Sequence, residues 1–258
     1  MHRFATYYFP LLVLLMNYSY LSAQEPEDAL WQKSYDARKE YMEKVVGPFP
    51  VDILKMLNMT GVWPGGGLFV IPAVKIDARL AVYTTFGFSN PDMPATVEIV
   101  NFELEKSDGR ATKAEGTLRA KATRAVVKDG VAGYGYEMLL VTTAGSKWPL
   151  SLLQWAVNAE LGHDVGFLGR VEEFDGLTVE DVFAGDAGSV NLLITKAEHP
   201  LPTGVALPNG KMDVLVMTVI TEREMRWAMA HGNAGLVEKL KDAGMGQVSV
   251  LERASVVP

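Results

Sequence analysis

The chain has 258 residues, 48% of them hydrophobic and 21% charged, enough for one large domain or two small ones and too balanced for a disordered or membrane-embedded bulk. Its net charge of −7, with no basic cluster to offset it, argues against nucleic acid as a partner, because the phosphates would repel it. The absence of cysteine excludes disulfides, thiolate metal sites, cysteine nucleophiles and a lipidated-cysteine anchor.

The first residues read as an export signal. His2 and Arg3 give a short basic start, Phe9–Met16 is an apolar run, and Leu21-Ser-Ala-Gln24 offers a cut after Ala23. The run is shorter than the roughly 20 residues that cross a bilayer. The expectation is a signal peptide over 1–23, a periplasmic or secreted product and no stable membrane span after cleavage. An N-terminal helix over 24–46 and one domain over 47–258 follow.

In that helix Trp31, Tyr35, Met42 and Val45 share a face, with Lys and Glu between them. Gly47-Pro-Phe-Pro50 stops it, and Val51–Leu57 reads as a second, short helix. The turn-rich Gly61–Gly67 leads into a strand at Leu68–Ile71, and Ala73–Thr85 reads as another. Thr96–Leu104 alternates with period two, Ser107-Asp-Gly109 is a turn, and Leu118–Val127 is the second arm of a β-meander. Gly133–Val141 is a strand whose glycines admit close backbone approach. Trp148-Pro149 opens a helix over Leu150–Leu161, with proline at a favoured first-turn position. Val190–Thr195 and Met212–Val219 are strands separated by a Pro/Gly loop. Thr221 and Glu224 form a capping box that starts the last helix, which runs to His231 and resumes over Gly235–Asp242. Helices at both ends around an antiparallel-rich middle predict an α+β fold, a mixed, largely antiparallel central sheet with helices packed on it.

Catalytic motifs fail on spacing or context. His163, His199 and His231 stand apart, with no pair at metal-ligand spacing. There is no Gly-x-Ser-x-Gly elbow for a nucleophile. Gly145-Ser-Lys147 lacks the upstream glycines of a phosphate loop, and Gly65-Gly-Gly67 precedes a strand instead of opening a helix. The carboxylates Glu172, Glu173, Asp175 and Asp186 lack the alternation of a calcium loop and read as a solvated acidic face. No cofactor and no metal is expected. Phe86, Phe88, Tyr134, Tyr136 and Trp148 gather where strands end and turns begin. They read either as core packing or as an aromatic-lined groove for a peptide strand, and Glu137 lies among them.

Four segments, in order, resemble the Suppressor of fused domain: Tyr83-Thr-Thr-Phe-Gly-Phe-Ser89, Asp129-Gly-Val-Ala-Gly-Tyr-Gly-Tyr-Glu-Met-Leu139, Lys147-Trp-Pro-Leu-Ser-Leu-Leu-Gln154, and Asp213–Glu224 followed by His231-Gly232. The resemblance spans roughly residues 45–255. It implies a mixed α/β domain that binds protein and is not known for catalysis. The family's animal member holds a transcription factor through a short peptide added as a β-strand, and bacterial members have been proposed as immunity proteins that neutralise toxins. Asp129 falls where the animal protein has an acidic residue beside its peptide, so the resemblance makes it the leading contact residue. The segment between Ser89 and Asp129 is longer here than in the family and replaces a loop that supplies other contacts.

The expected function is therefore a non-catalytic, exported protein- or peptide-binding module of immunity type. It takes a basic partner by strand addition, with Asp129, Tyr134, Tyr136, Glu137, Phe86, Phe88 and Trp148 at the contact. Two rivals stay open: a cell-envelope hydrolase with a dispersed Asp/Glu/His site, and a structural or assembly component of the envelope.

Overall fold

The computed structural model describes residues 25–51, 57–58, 61–62, 66–94, 96–107, 110–121 and 129–258. The expected signal peptide lies outside these. Helix α1 (Glu25–Val45) carries its buried residues Ser34, Arg38 and Met42 along one stripe at helical spacing, which Val46 just past its end continues, and it ends where Gly47-Pro48 cannot continue it. The short helix expected over Val51–Leu57 falls mostly on undescribed residues; its last residue belongs instead to a two-residue strand, β1 (Leu57–Asn58), paired with β2 (Gly61–Val62).

The main sheet starts with the hairpin β3 (Gly67–Pro72) and β4 (Leu80–Phe86). The strand expected over Ala73–Thr85 is shorter than its apolar run. Residues 73–79 instead fold into a turn, closed by Ile76 N and Asp77 N donating to Ala73 O and by Arg79 bonded to Asp77. The predicted meander is a long hairpin, β5 (Thr96–Ser107) with β6 (Arg110–Lys121), which forms a sheet of its own. Its second arm starts earlier than expected, and residues 122–128 lie outside the described set.

After the hairpin come β7 (Val131–Thr143), helix α2 (Trp148–His163) with proline in its first turn, and helix α3 (Phe167–Phe174). Next are β8 (Leu177–Phe183), β9 (Ser189–Lys196), β10 (Gly204–Leu207), β11 (Gly210–Ile220), and helices α4 (Glu222–His231) and α5 (Asn233–Asp242). The sheet order is β3-β4-β7-β11-β9-β8, with β10 paired to the start of β11. Every pairing is antiparallel except the central one, β7 with β11. The mixed, largely antiparallel sheet is the expected one.

Alternate strand residues face opposite sides. Leu68, Tyr83, Met138, Leu140, Ile194 and Leu215 pack against α2 and α3. Their neighbours Phe69, Val82, Leu139, Val214 and Val216 pack against Met42 and Val46 of α1. Leu193 and Ile220, on the α1 side, pack against α4 and α5. The result is three layers, helix on sheet on helix.

The C-terminal segment seals the end of the sheet. Ser249 N donates to Val141 O at 2.8 Å, and Ser249 Oγ accepts from Val219 N at 2.9 Å, so this serine bridges β7 and β11, the two strands of the parallel pair. Glu224 anchors the same segment. Its carboxylate completes the capping box of α4 and also accepts from Arg253 Nη2 at 2.6 Å and from Val256 N at 2.8 Å. Burial alone would raise the Glu224 pKa; the Arg253 guanidinium and the Thr221 and Val256 N–H groups outweigh it and hold the carboxyl below the usual glutamate range. A lowered folded-state pKa stabilises above the unfolded value and is lost as pH falls through the folded one. The wild type is thus expected to lose stability on acidification below about pH 4.5 more steeply than Glu224→Gln, measured by urea denaturation across pH 3–7. Parallel pH profiles would refute this.

Candidate protein-binding face

Strand β7 follows the exposed Asp129–Gly130 turn. On one side Lys211 N donates to Gly130 O at 2.7 Å, which sets the start of β11 against the turn. On the other side β4 pairs with β7 only through residues 139–143. Beyond that point the chain leaving β4 bends across the first half of β7, held by Tyr134 N donating to Phe88 O at 2.8 Å. Gly133 permits this approach: its φ is +59°, and a side chain there would meet the carbonyls of Phe88 and Asn90.

Glu137 sits under the bend, fully buried. Its Oε1 accepts from Gly87 N at 2.9 Å, Ser89 N at 3.1 Å and Ser89 Oγ at 2.7 Å, and its Oε2 accepts from Thr85 Oγ1 at 2.7 Å. Arg38 descends from α1 to meet it, Nη1 at 3.0 Å from Oε1, while Nη2 donates to Asn90 Oδ1 at 2.7 Å. The guanidinium lies 4.0 Å from the centre of the Phe86 ring. Burial pulls the Arg38 pKa down, and the Glu137 carboxylate works against that pull. One buried ion pair thus joins the N-terminal helix, the β4 exit and β7.

A second buried carboxyl lies on the other face. Glu160, near the end of α2, accepts from Tyr136 Oη at 2.8 Å and from Gly166 N and Phe167 N at 3.1 Å each. It therefore caps α3 in place of any side chain of α3's own N-cap, which is Gly166. Burial raises its pKa, against the lowering effect of those three donors.

Of the seven residues expected at the contact, Asp129 is exposed and Trp148 half-buried. Phe86, Phe88, Tyr134, Tyr136 and Glu137 are buried. The Phe88 ring packs on those of Tyr134 and Tyr136 at 5.6 and 5.2 Å, and Phe86 stacks edge-on to Phe69 and Tyr35 at 5.1 Å each. Of the two readings of these rings, their burial supports core packing: they fill the two core layers, because strands buried on both faces hold apolar residues at successive positions. His163, His199 and His231 are exposed and lie on separate elements, at the end of α2, between β9 and β10, and at the end of α4.

Sequence reasoning did not find Arg38 or Glu160. Arg38 was legible as a cation three residues past Tyr35 and four before Met42, inside the apolar stripe. Glu160 carries no local signal, since its partners Tyr136 and Phe167 come from two other elements.

The family model described as Suppressor of fused protein (SUFU) matches residues 48–254. The chain belongs to the Suppressor of fused family. No curated protein matches it. Solved structures similar to it include one titled the Sufu-Fu complex, at 15% identity and TM-score 0.53, covering 87% of this chain and 92% of that one. Drosophila Suppressor of Fused is similar at 14% identity and TM-score 0.51 over 87% of this chain and 50% of its own. A Suppressor of fused homologue from Neisseria gonorrhoeae FA 1090 is similar at 13% identity and TM-score 0.49, covering 90% and 98%. The first two likenesses carry the Suppressor of fused fold. The family match begins after α1, so Glu137 and its donors Thr85, Gly87 and Ser89 lie inside the matched region while Arg38 comes from outside it.

Proposed function

We propose that this Suppressor of fused domain is a non-catalytic binding module, exported from the cell, that captures a protein partner at the Asp129–Gly130 turn in the manner of an immunity protein. The family match over residues 48–254 carries the reading. The exposed carboxylate of Asp129 stands at the head of the central parallel pair, on backbone fixed by the Lys211–Gly130 bond, so it presents a rigid acceptor to a donor on the partner. Main-chain pairing along β7 is not open there, because the 87–90 bend and β11 occupy both its sides; contact is through the turn. Export rests on the basic start, apolar run and Ala23 cut, and an acidic chain favours a basic partner.

Affinity capture from the native envelope, wild type beside Asp129→Lys, tests the reading. The wild type is expected to retain a specific protein that Asp129→Lys loses by about tenfold or more, with an unchanged melting temperature. Equal capture by both chains would overturn it. Mass spectrometry of the exported chain is expected to show an N-terminus at Gln24.

A further inference from the structure

Among the described residues, strand β8 ends the sheet and pairs only with β9. Among the described residues, no loop or turn backbone bond reaches Leu177–Phe183. An edge of this kind presents unpaired N–H and C=O groups to any extended chain. Glu180 and Asp181 are exposed, and Phe183 is 68% exposed at one end of the strand, with Phe174 55% exposed before the other.

Charge selects the occupant. From Glu172 to Asn191 the chain holds six carboxylates and no Lys or Arg. Two hollows lie near the strand, one lined in part by β8 itself and the other past the start of the strand, between α3, the end of β9 and α5. One, about 650 Å³, is lined by Glu180, Asp181, Asn191, Glu222, Leu251 and Arg253. The other, about 450 Å³, includes Glu172, Asp175, Lys196, Glu198 and Glu238. The cations among the described residues that line them are committed: Arg253 to Glu224, and Lys196 to Glu172 and Asp213.

We propose that the β8 edge docks an extended, Lys- or Arg-bearing segment of a partner protein, which adds to the sheet as a further strand and places its cations in the two acidic hollows. The bulge at Glu180–Asp181, where Asp181 takes φ +56° and its N–H bonds Asn191 Oδ1 at 3.0 Å, shapes the same selectivity. Bulges and edge charges commonly guard against edge-to-edge pairing of identical chains. A second copy of this chain laid antiparallel on β8 would set these carboxylates against each other, whereas a basic strand neutralises them. The surface lies three strands from β7, so it is separate from the Asp129 turn.

The test uses two synthetic peptides of the same alternating β-forming sequence, one bearing Lys and the other Glu at the outward positions. The Lys peptide is expected to bind the full chain, to protect amides of Leu177–Phe183 from hydrogen exchange, and to weaken as salt rises. Glu180→Lys/Asp181→Asn, in which asparagine still suits the left-handed backbone, is expected to weaken it about tenfold. Asp129→Lys should leave it unchanged, which separates failure here from failure of the turn reading. Absence of Lys-peptide binding, equal binding of the Glu peptide, protection mapped to another strand, or self-association through β8 in sedimentation would each overturn the proposal.

Discussion

Glu137→Ala is expected to destabilise the fold by about 3–5 kcal/mol, and Arg38→Ala by a comparable, somewhat smaller amount. Both side chains are fully buried, so removing one strands the other's charge in a medium that solvates it poorly. The asymmetry comes from the remaining partners. Without Arg38 the carboxylate keeps its bonds from Gly87, Ser89 and Thr85; without Glu137 the guanidinium keeps its hydrogen bonds to Ser89 and Asn90, and among the described residues its Nε has no hydrogen-bond partner. Arg38→Met, which keeps much of the volume over the Phe86 ring, is expected to lose less than Arg38→Ala. Urea midpoints at constant m-value report these differences. A Glu137→Ala loss below about 1 kcal/mol would show that the pair does not hold α1 to the sheet.

Gly133→Ala is the second large effect, at about 3 kcal/mol or more. At φ +59° an L-residue is strained, and the added Cβ would stand 2.4 Å from Phe88 O and 2.8 Å from Asn90 O. Neither carbonyl can yield without moving the bend that buries Glu137. Gly130→Ala is the control: its φ is +75°, but nothing lies within 4 Å of the new Cβ, so only about 1 kcal/mol of backbone strain is expected. Equal losses in the two variants would mean that strain alone accounts for Gly133 and that the close approach does not matter. Amide exchange at Tyr134, whose N–H bonds Phe88 O, should rise in Gly133→Ala.

The elements legible in the sequence are those whose signals are local. Thr221 and Glu224 sit at the spacing a capping box needs, and Thr96–Leu104 alternates as a strand does. Helix α3 and strand β8 were not legible. The eight residues of α3 include Gly169 and lack a side-chain cap of their own, because Glu160 supplies it from the preceding helix. In β8 the bulge at Glu180–Asp181 breaks the period-two pattern halfway along. The contact residues divide in the same way. Asp129 follows from the family resemblance and is exposed, whereas the aromatic residues sit on strands covered on both faces, where a side chain that looks available along the chain is enclosed by its neighbours in space.

The ion pair between Arg38 and Glu137 also sets an order of events. Its members are 99 residues apart, with the β3–β4 and β5–β6 hairpins between them. Until β7 has been made and threaded beside β4, the positive charge on α1 has no counter-ion and stays in water, so the apolar stripe beside it cannot be buried cheaply. The N-terminal helix is therefore expected to dock late, after the central strands, which hydrogen-exchange labelling during refolding would show as late protection of α1 amides. Non-local closure of this kind makes for slow folding, with the rate set by the long loop rather than by the helix.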